Sequence, residues 1–498
     1  MQYQSTRNSK ISVSSAQAIK KGISEDGGLF VPVSIPQITM DEIVSLSEMS
    51  YVERAGNVLA RFLTDYTGDE IKKCTTSAYT AEKFASADIA PVRKLSNSAY
   101  VLELWHGPTC AFKDMALQIL PHLLTAAIKK TGENKEVVIL VATSGDTGKA
   151  ALEGFKDVDG TKIQVFYPAH GVSEIQKLQM TTQEGGNVSV IAVEGNFDDA
   201  QTGVKKIFGD KEFADVLSKR GCTLSSANSI NWGRLVPQIV YYFSAYCDML
   251  RNGEIKPGDK INICVPTGNF GNILAAYYAK KMGLPVKKLI CASNSNNVLT
   301  DFIATGTYDK NRTFHTTISP SMDIIISSNL ERLLFIMSDG NDELIKEYMS
   351  SLAADGKYTV SDGIEKKIKD EFYAGYCSDE MTKTEIKKIY DKYSYVVDTH
   401  TAVGLKVYED YVSETGDAAK TVIASTANPF KFNKSVLSAI TDGKNLDELN
   451  EFELLDLLAE TSNMQIPYSL GSLKGKEIRF KTVCSKEDMK AQTDKFLS

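Results

Sequence analysis

The sequence lacks the features that mark membrane-spanning, secreted and metal-dependent proteins. No apolar stretch approaches the length of about eighteen residues that a spanning helix needs, and residues 1–13 contain no apolar core of a secretory signal. The eight cysteines include no C-x-x-C pair, and the five histidines show no metal-ligand spacing. We therefore expect a cytoplasmic protein with reduced thiols, no membrane partner and no metal ion.

A strong excess of either charge is also absent. The formal net charge is −7 over 498 residues, and acidic and basic residues are interspersed. This balance argues against nucleic acid or an anionic membrane as the main partner and favours a small-molecule ligand. Apolar residues make up 43% of the chain and charged residues 24%, as in globular proteins, and the length predicts two or three domains.

Short runs rich in valine and isoleucine recur along the chain, and most of them lead into a helical pattern. Such runs are typical of strands covered on both faces, so the alternation predicts open, mostly parallel α/β sheets. A helix with a kink at Pro121 is predicted after Lys113, and another over residues 273–282. The predicted strands are residues 137–141, 163–167, 188–193, 261–265, 288–292 and 421–424.

The change of pattern along the chain predicts three domains. Residues 1–92 are less sheet-like and form an N-terminal accessory domain. Residues 93–135 and 226–498 form a large α/β domain, with a charged helical insertion at about 300–395. Residues 136–225 form a small α/β domain that could close over the large one.

One lysine stands out within residues 106–118. Lys113 lies at the start of a predicted helix, after a Gly-Pro turn and a threonine, Thr109, that can cap the helix. Partial positive charge at a helix N-terminus favours the neutral amine, which is the form that condenses with carbonyls to a Schiff base. The alternative is an ordinary solvated surface lysine.

Two loops that follow predicted strands suit anionic ligands. Residues 268–272 join a strand to a helix, and their glycines allow backbone N–H groups to surround a phosphate. The fingerprints of triphosphate and dinucleotide sites are missing, which favours a lone phosphate. Residues 143–148 offer hydroxyls and N–H groups for a carboxylate. The alternatives are a tight strand–helix turn and a helix cap.

Two further segments complete the set of candidate ligand groups. Residues 228–234 present amides, a hydroxyl and Arg234, which could bind a second phosphate, although such a motif alone is more often a surface loop. Thr426 follows the last predicted strand, at the carboxyl end where open α/β sheets bind ligands, and could contact a cofactor ring.

Together these segments resemble the fold-type II enzymes that use pyridoxal phosphate (PLP), and within them the longer, bacterial and fungal kind of threonine synthase. The resemblance covers most of the chain. The segments that carry it are residues 25–32, 106–118, 143–148, 195–201, 225–234, 266–272, 319–324 and 398–404.

The resemblance implies a tryptophan synthase β-like fold with a large and a small domain, and PLP as cofactor. Lys113 would form the covalent link to PLP and then move protons. Thr426 would bond the pyridine nitrogen, and the glycine loop would hold the cofactor phosphate. The implied cofactor-binding residues are Lys113, Phe112, Gly268, Asn269, Phe270, Gly271, Asn272 and Thr426.

The implied reaction converts O-phospho-L-homoserine and water to L-threonine and phosphate. The substrate carboxylate would lie on Thr143, Ser144, Asp146 and Thr147, and its phosphate on Asn228, Ser229 and Arg234. Asp146 replaces an asparagine of the wider group, so we expect its carboxyl to be protonated or to point away from the cofactor oxygen. Asn428 stands where histidine is common.

Three alternatives stay open at this point. Another PLP lyase or synthase of the same fold, such as a threonine dehydratase or cysteine synthase, would not need Arg234 for a distal phosphate. A non-catalytic protein could bind PLP on the same scaffold. A nicotinamide-dependent oxidoreductase fits the strand–helix alternation but lacks the glycine fingerprint. The sequence leaves the oligomeric state open.

Overall fold

The computed structural model describes residues 1–132, 134–143, 145–170, 172–441 and 445–498. Strands β1 to β16 of these ranges are, in chain order, Gln2–Ser5, Asn8–Ser14, Phe30–Pro32, Val92–Lys94, Ala99–Glu103, Glu136–Ala142, Thr161–Pro168, Val188–Val193, Cys222–Ser225, Ile261–Pro266, Val286–Ser293, Thr307–Asp309, Lys357–Thr359, Phe372–Tyr376, Thr421–Ser425 and Val483–Cys484.

Helices in the same ranges connect and cover these strands. In chain order α1 to α22 are Ser15–Lys21, Met40–Ser47, Tyr51–Phe62, Gly68–Ala78, Asp114–Leu117, Leu120–Lys130, Asp146–Phe155, Glu174–Thr181, Phe197–Gly209, Lys211–Lys219, Trp232–Arg251, Gly271–Lys281, Val298–Thr305, Leu330–Met337, Asp342–Ala354, Asp362–Glu371, Asp379–Tyr393, Thr399–Thr415, Asn433–Ile440, Glu451–Ser462, Tyr468–Gly471 and Met489–Leu497. None of them combines the length and apolar character that crossing a membrane requires.

The N-terminal region pairs an antiparallel sheet, ordered β2-β1-β3, with helices α1 to α4. Each of these helices begins with a capping box, in which a serine or threonine and a glutamine or glutamate three residues later bond each other's backbone N–H groups. Aromatic rings join this region to the rest of the chain, because the ring centroids of Tyr3 and Phe62 lie 5.4 and 5.6 Å from that of Trp232 in α11.

The central sheet has six strands in the order β14-β11-β10-β15-β5-β4 and is parallel except for β4. Strands β10 and β15 are buried along their whole length, as expected for strands covered on both faces. All six predicted strands are confirmed, as β6, β7, β8, β10, β11 and β15. The predicted helical insertion also contributes a strand, because β14 forms one edge of this sheet.

The smaller sheet is wholly parallel, in the order β16-β8-β7-β6-β9. Its edge strand β16 comes from the end of the chain, which differs from the expectation that residues 226–498 belong to the large domain. Helix α22 follows β16, and its Met489 occupies the space that a side chain at Gly203 of α9 would need. A strand of two residues is too short to give a sequence signal. The other domain boundaries stay predictions.

The prediction of a kink at Pro121 is wrong. Helix α5 ends at Leu117, and Pro121 lies in the first turn of the separate helix α6. A proline is accommodated there because an N–H in the first turn has no partner within the helix.

Candidate active site

The segment that carries Lys113 is bonded directly to the segment that follows β15. Phe112 donates its backbone N–H to the Thr426 carbonyl at 2.8 Å, and Asn428 donates to the Cys110 carbonyl at 3.0 Å. These bonds place Phe112, Lys113 and Thr426 together at the carboxyl end of the central sheet, where open α/β sheets bind ligands. Three residues that were singled out separately in the sequence therefore share one site.

Lys113 occupies the N-cap position of α5, a helix of four residues. Thr109 does not cap this helix as predicted. Its backbone N–H and its hydroxyl instead donate to the two carboxylate oxygens of Asp114, at 2.8 and 2.7 Å. Gly107 closes the same turn, because an added Cβ would lie 2.6 Å from the Asp114 side chain. The turn therefore fixes the backbone from which Lys113 projects.

The environment of Lys113 favours its neutral amine. Burial lowers the pKa of Lys113 to about 8, the positive charges of Lys431 and Arg234 act in the same direction, and Asp146 opposes them. The predicted direction is therefore right, but the main cause is burial rather than the helix N-terminus. A lysine whose pKa lies near working pH can both accept and release a proton.

Chemical labelling of Lys113 should reveal this shift. Only the neutral amine reacts with acetic anhydride, so labelling of Lys113 in the cofactor-free protein should rise as pH rises through about 8. Lys129, an exposed lysine of α6, is the internal control. Peptide mass spectrometry measures both sites in one sample. A Lys113 profile that coincides with that of Lys129 would contradict the assignment.

Asp146 is buried and ionised, so the expectation of a protonated carboxyl is wrong, while its orientation relative to the cofactor oxygen stays a prediction. Its Oδ1 lies 2.5 Å from Lys431 Nζ and accepts from Gln176 Nε2 at 2.9 Å. Although burial alone would raise the pKa of Asp146, the charges of Lys431 and Lys113 lower it well below the ordinary value. The predicted role of Asp146 is to bind the substrate carboxylate. Two carboxylates repel each other, so the geometry favours a different role for Asp146.

The rest of the loop at residues 143–148 is shaped by Thr143. Its hydroxyl accepts from the N–H groups of Gly145 and Gly148, both at 3.0 Å, and therefore organises the loop itself. Gly145 has a φ of +149°, and an added Cβ would lie 2.6 Å from the Gln176 side chain. Thr147 is partly buried in the first turn of α7. Ser144 lies outside the described residues.

The glycine loop, residues 268–272, ends at the N-terminus of α12. Phe270 is the N-cap residue, has a left-handed φ of +61°, and no side chain caps the helix. The N–H groups of the first turn and the helix dipole can therefore act on an anion. Asn272 adds a buried Nδ2 without a hydrogen-bond partner, while its Oδ1 accepts from the hydroxyls of Tyr241 and Tyr242 at 2.5 Å.

Contacts with residues 321–329 hold the glycine loop in place. The Gly268 carbonyl accepts from Ser327 Oγ at 2.7 Å, and the Asn269 carbonyl accepts from the Asn329 N–H at 3.2 Å. An added Cβ at Gly268 would lie 2.8 Å from the Ser321 carbonyl oxygen. This close approach explains why a glycine is needed at position 268.

Arg234 is a buried cation without an acidic partner. No carboxylate in the described chain lies within ion-pair distance of its guanidinium. One terminal nitrogen of the guanidinium donates to the Ala227 carbonyl at 2.6 Å. Its Nε is buried and has no partner, and burial lowers its pKa to about 10. Asn228 is exposed and Ser229 partly buried just before α11. Such an arginine suits an anionic ligand.

Three further side chains of the site have no role assigned from the sequence. Lys431 is fully buried beside Asp146, and Ser321 accepts from Lys113 Nζ at 3.5 Å. His400 accepts from the Ser321 N–H at Nε2, at 3.1 Å. Lys431 lies five residues after Thr426 but carries no local sequence signal of its own, and Ser321 and His400 lie in segments 319–324 and 398–404, which enter the resemblance without an assigned role.

The donor groups of this site fit the expected cofactor. The uncapped end of α12 and the unpartnered Asn272 amide suit a phosphate, and a partly neutral Lys113 suits a carbonyl carbon. Arg234 remains as a second cationic group for a second anion. The chemistry of the residues therefore agrees with a phosphate-bearing aldehyde bound next to an anionic substrate.

Comparisons with known proteins agree with this site. The family models that match are "Threonine synthase N terminus" at residues 2–79, "Pyridoxal-phosphate dependent enzyme" at residues 88–426 and "Threonine synthase, C-terminal" at residues 401–493. The chain is 41% identical over 440 residues to the threonine synthase of Pseudomonas aeruginosa, which covers 88% of this chain and 90% of that protein.

Two further similarities extend this result. The chain is 42% identical over 467 residues to threonine synthase-like 1 of Homo sapiens, which covers 92% of this chain. It spans only 60% of the length of that relative. The crystal structure of PLP-bound threonine synthase from Brucella melitensis matches with a TM-score of 0.88 and 36% identity, over 100% of this chain and 99% of that one.

Proposed function

Because the chain belongs to the threonine synthase family, with the fold of the fold-type II PLP enzymes, we propose that it converts O-phospho-L-homoserine and water to L-threonine and phosphate. The observation that carries this proposal is the juxtaposition of a lysine of lowered pKa, an uncapped helix N-terminus and a buried arginine without an acidic partner. One anion site serves the cofactor phosphate, and the other serves the phosphate of the substrate.

PLP, when bound, supplies an electron sink that stabilises negative charge on the carbon atoms of the amino acid. Lys113 holds the proton that is removed from carbon and returns it from Nζ, which its pKa near working pH allows. The glycine loop and Asn272 would hold the cofactor phosphate, and Thr426 would bond the ring nitrogen. The burial around Arg234 keeps water away from the substrate phosphate and strengthens the contact.

The runner-up is another lyase or synthase of the same fold, such as a threonine dehydratase. A dehydratase substrate carries no distal phosphate, so it would leave the charge of Arg234 buried and unpaired, which is energetically costly. This observation favours the phosphorylated substrate.

We also assign the reaction to the cytoplasm, an assignment supported by the eight cysteines, which are all free thiols.

The decisive experiment incubates the PLP-loaded protein with O-phospho-L-homoserine and measures threonine and phosphate. Equal amounts of both products are expected. Release of phosphate together with an oxo acid instead of threonine would show a lyase without the water addition. No release of phosphate, from a protein that has bound PLP, would overturn the assignment.

Arg234→Ala should lower kcat/KM for O-phospho-L-homoserine by roughly 100-fold, mainly through KM, because a charge-assisted contact to the phosphate is lost. Arg234→Lys keeps the charge and should recover part of the loss. Arg251→Ala, at the exposed end of the same helix, is the matched control. An unchanged kcat/KM in Arg234→Ala would contradict the substrate assignment.

A further inference from the structure

Ser321 lies where four parts of the chain meet around Lys113. Its hydroxyl accepts from Lys113 Nζ at 3.5 Å and donates to Asp146 Oδ2 at 3.3 Å. Its backbone N–H donates to His400 Nε2 at 3.1 Å, and its carbonyl oxygen packs against Gly268. The residue therefore contacts the lysine segment, the small domain, the start of α18 and the glycine loop at once.

The partners of Ser321 are themselves fixed. His400 Nδ1 lies 2.7 Å from Asp398 Oδ2, which sets the imidazole so that Nε2 accepts. Asp146 is held by Lys431 at 2.5 Å and by Gln176 at 2.9 Å. Both the backbone and the hydroxyl of Ser321 are thus oriented by groups that have little freedom to move.

Lys113, in contrast, has few contacts that fix its amine. In the part of the chain that the structure describes, its Nζ forms no ion pair, and the Ser321 hydroxyl is its side-chain acceptor. A lysine stem has four rotatable bonds, so an amine without a fixed partner samples many positions. A distance of 3.5 Å is long for a hydrogen bond, as is common for catalytic groups before their ligand is bound.

We propose that Ser321 is a positioning residue: its backbone is held by His400, and its hydroxyl, oriented by Asp146, holds Lys113 Nζ where it can react with the carbonyl of the cofactor. The inference rests on the proposed function, because it assumes that Lys113 captures PLP. It extends that function to a residue of the insertion between β11 and β14, which lies far from Lys113 in sequence.

The test measures how fast the full-length protein, freed of cofactor, recaptures added PLP. At pH about 9.5 the amine of Lys113 is largely neutral in every variant, so the rate reports orientation rather than protonation. Ser321→Ala should slow capture roughly 5-fold, the effect expected for one neutral hydrogen bond. Ser321→Thr keeps the hydroxyl and should restore most of the rate. Thr316→Ala, exposed on the same segment, is the matched control.

The pH profile of Lys113 labelling is the second measurement. The groups that act on Lys113 are Ser321, Asp146, Lys431 and Arg234. Because an acceptor stabilises the ammonium form, loss of the Ser321 hydroxyl should move the labelling midpoint below about 8. A purely structural role for the serine would leave this midpoint in place.

The outcomes separate this inference from the proposed function. Capture by Ser321→Ala at the wild-type rate would overturn the positioning role. Equal losses in Ser321→Ala and Ser321→Thr, with equal losses of thermal stability, would also overturn it, since packing would then be the cause. Failure of the unaltered chain and of Thr316→Ala to capture PLP would overturn the proposed function itself.

Discussion

Lys113→Ala is expected to lower the rate of threonine formation by roughly 10³-fold or more, because the proposed function assigns both the attachment and the proton transfer to this one amine. The protein should nevertheless fold. Burial and the charges of Lys431 and Arg234 disfavour the Lys113 ammonium, so its removal relieves repulsion. Asp146 keeps its ion pair with Lys431.

The measurement is the release of threonine and phosphate from O-phospho-L-homoserine, with unfolding temperatures as a check of the fold. Lys129→Ala, on the exposed face of α6, is the control and should behave like the unaltered chain. Borohydride treatment of the unaltered protein should leave the cofactor mass on the peptide that contains Lys113. A trapped peptide elsewhere, or substantial turnover by Lys113→Ala, would refute the assignment.

Much of the fold was predictable because its strands are buried on both faces. Strands such as β10 and β15 are continuous apolar runs, and these runs are visible in one sequence. The edge strand β16 was not predictable, because its two residues carry no periodicity. Its place beside β8 is decided by tertiary packing of the chain end. Tertiary packing also decides that α5 and α6 are separate helices near Pro121.

The candidate site was predictable where its chemistry lies in loops at strand ends. Lys113, the glycine loop and Thr426 each follow a recognisable local signal, and the fold brings them together. Lys431 and Ser321 have no such signal, since a lysine or a serine in a loop is usually solvated. Their roles arise from contacts across long sequence separations, which a single sequence does not contain.

Asp146 shows how one such contact changes the chemistry of a site. From the sequence alone we expect this carboxyl to be protonated or to point away from the cofactor oxygen. Lys431, which has no local sequence signal, supplies the compensating charge at 2.5 Å and keeps the carboxylate ionised. The ion pair is therefore electrically neutral. Its Asp146 carboxylate can accept a hydrogen bond from the Ser321 hydroxyl without adding net charge to the site.

Lys431→Met should destabilise the protein by roughly 3–5 kcal/mol, the cost of leaving a buried charge unpaired. The Lys431 and Asp146 side chains are 0% and 3% exposed, and Lys431 Nζ also donates to the Thr109 carbonyl at 3.0 Å. Urea unfolding followed by the fluorescence of the two tryptophans measures the loss. Lys434→Met breaks an exposed pair with Asp447 and is the control, with an expected loss below about 1 kcal/mol.

The pH dependence and a double variant distinguish the ion pair from simple packing. The pKa of Asp146 is lowered in the folded chain, so the stabilisation it contributes is present above its unfolded pKa of about 4 and is lost as pH falls below it. Without Lys431 burial raises this pKa, so the deficit of Lys431→Met should shrink as pH falls towards about 4. Asp146→Asn combined with Lys431→Met should be more stable than Lys431→Met alone at neutral pH, because no buried charge is left unpaired. A deficit that is independent of pH and unchanged in the double variant would mean that Lys431 acts through its volume and not through its charge.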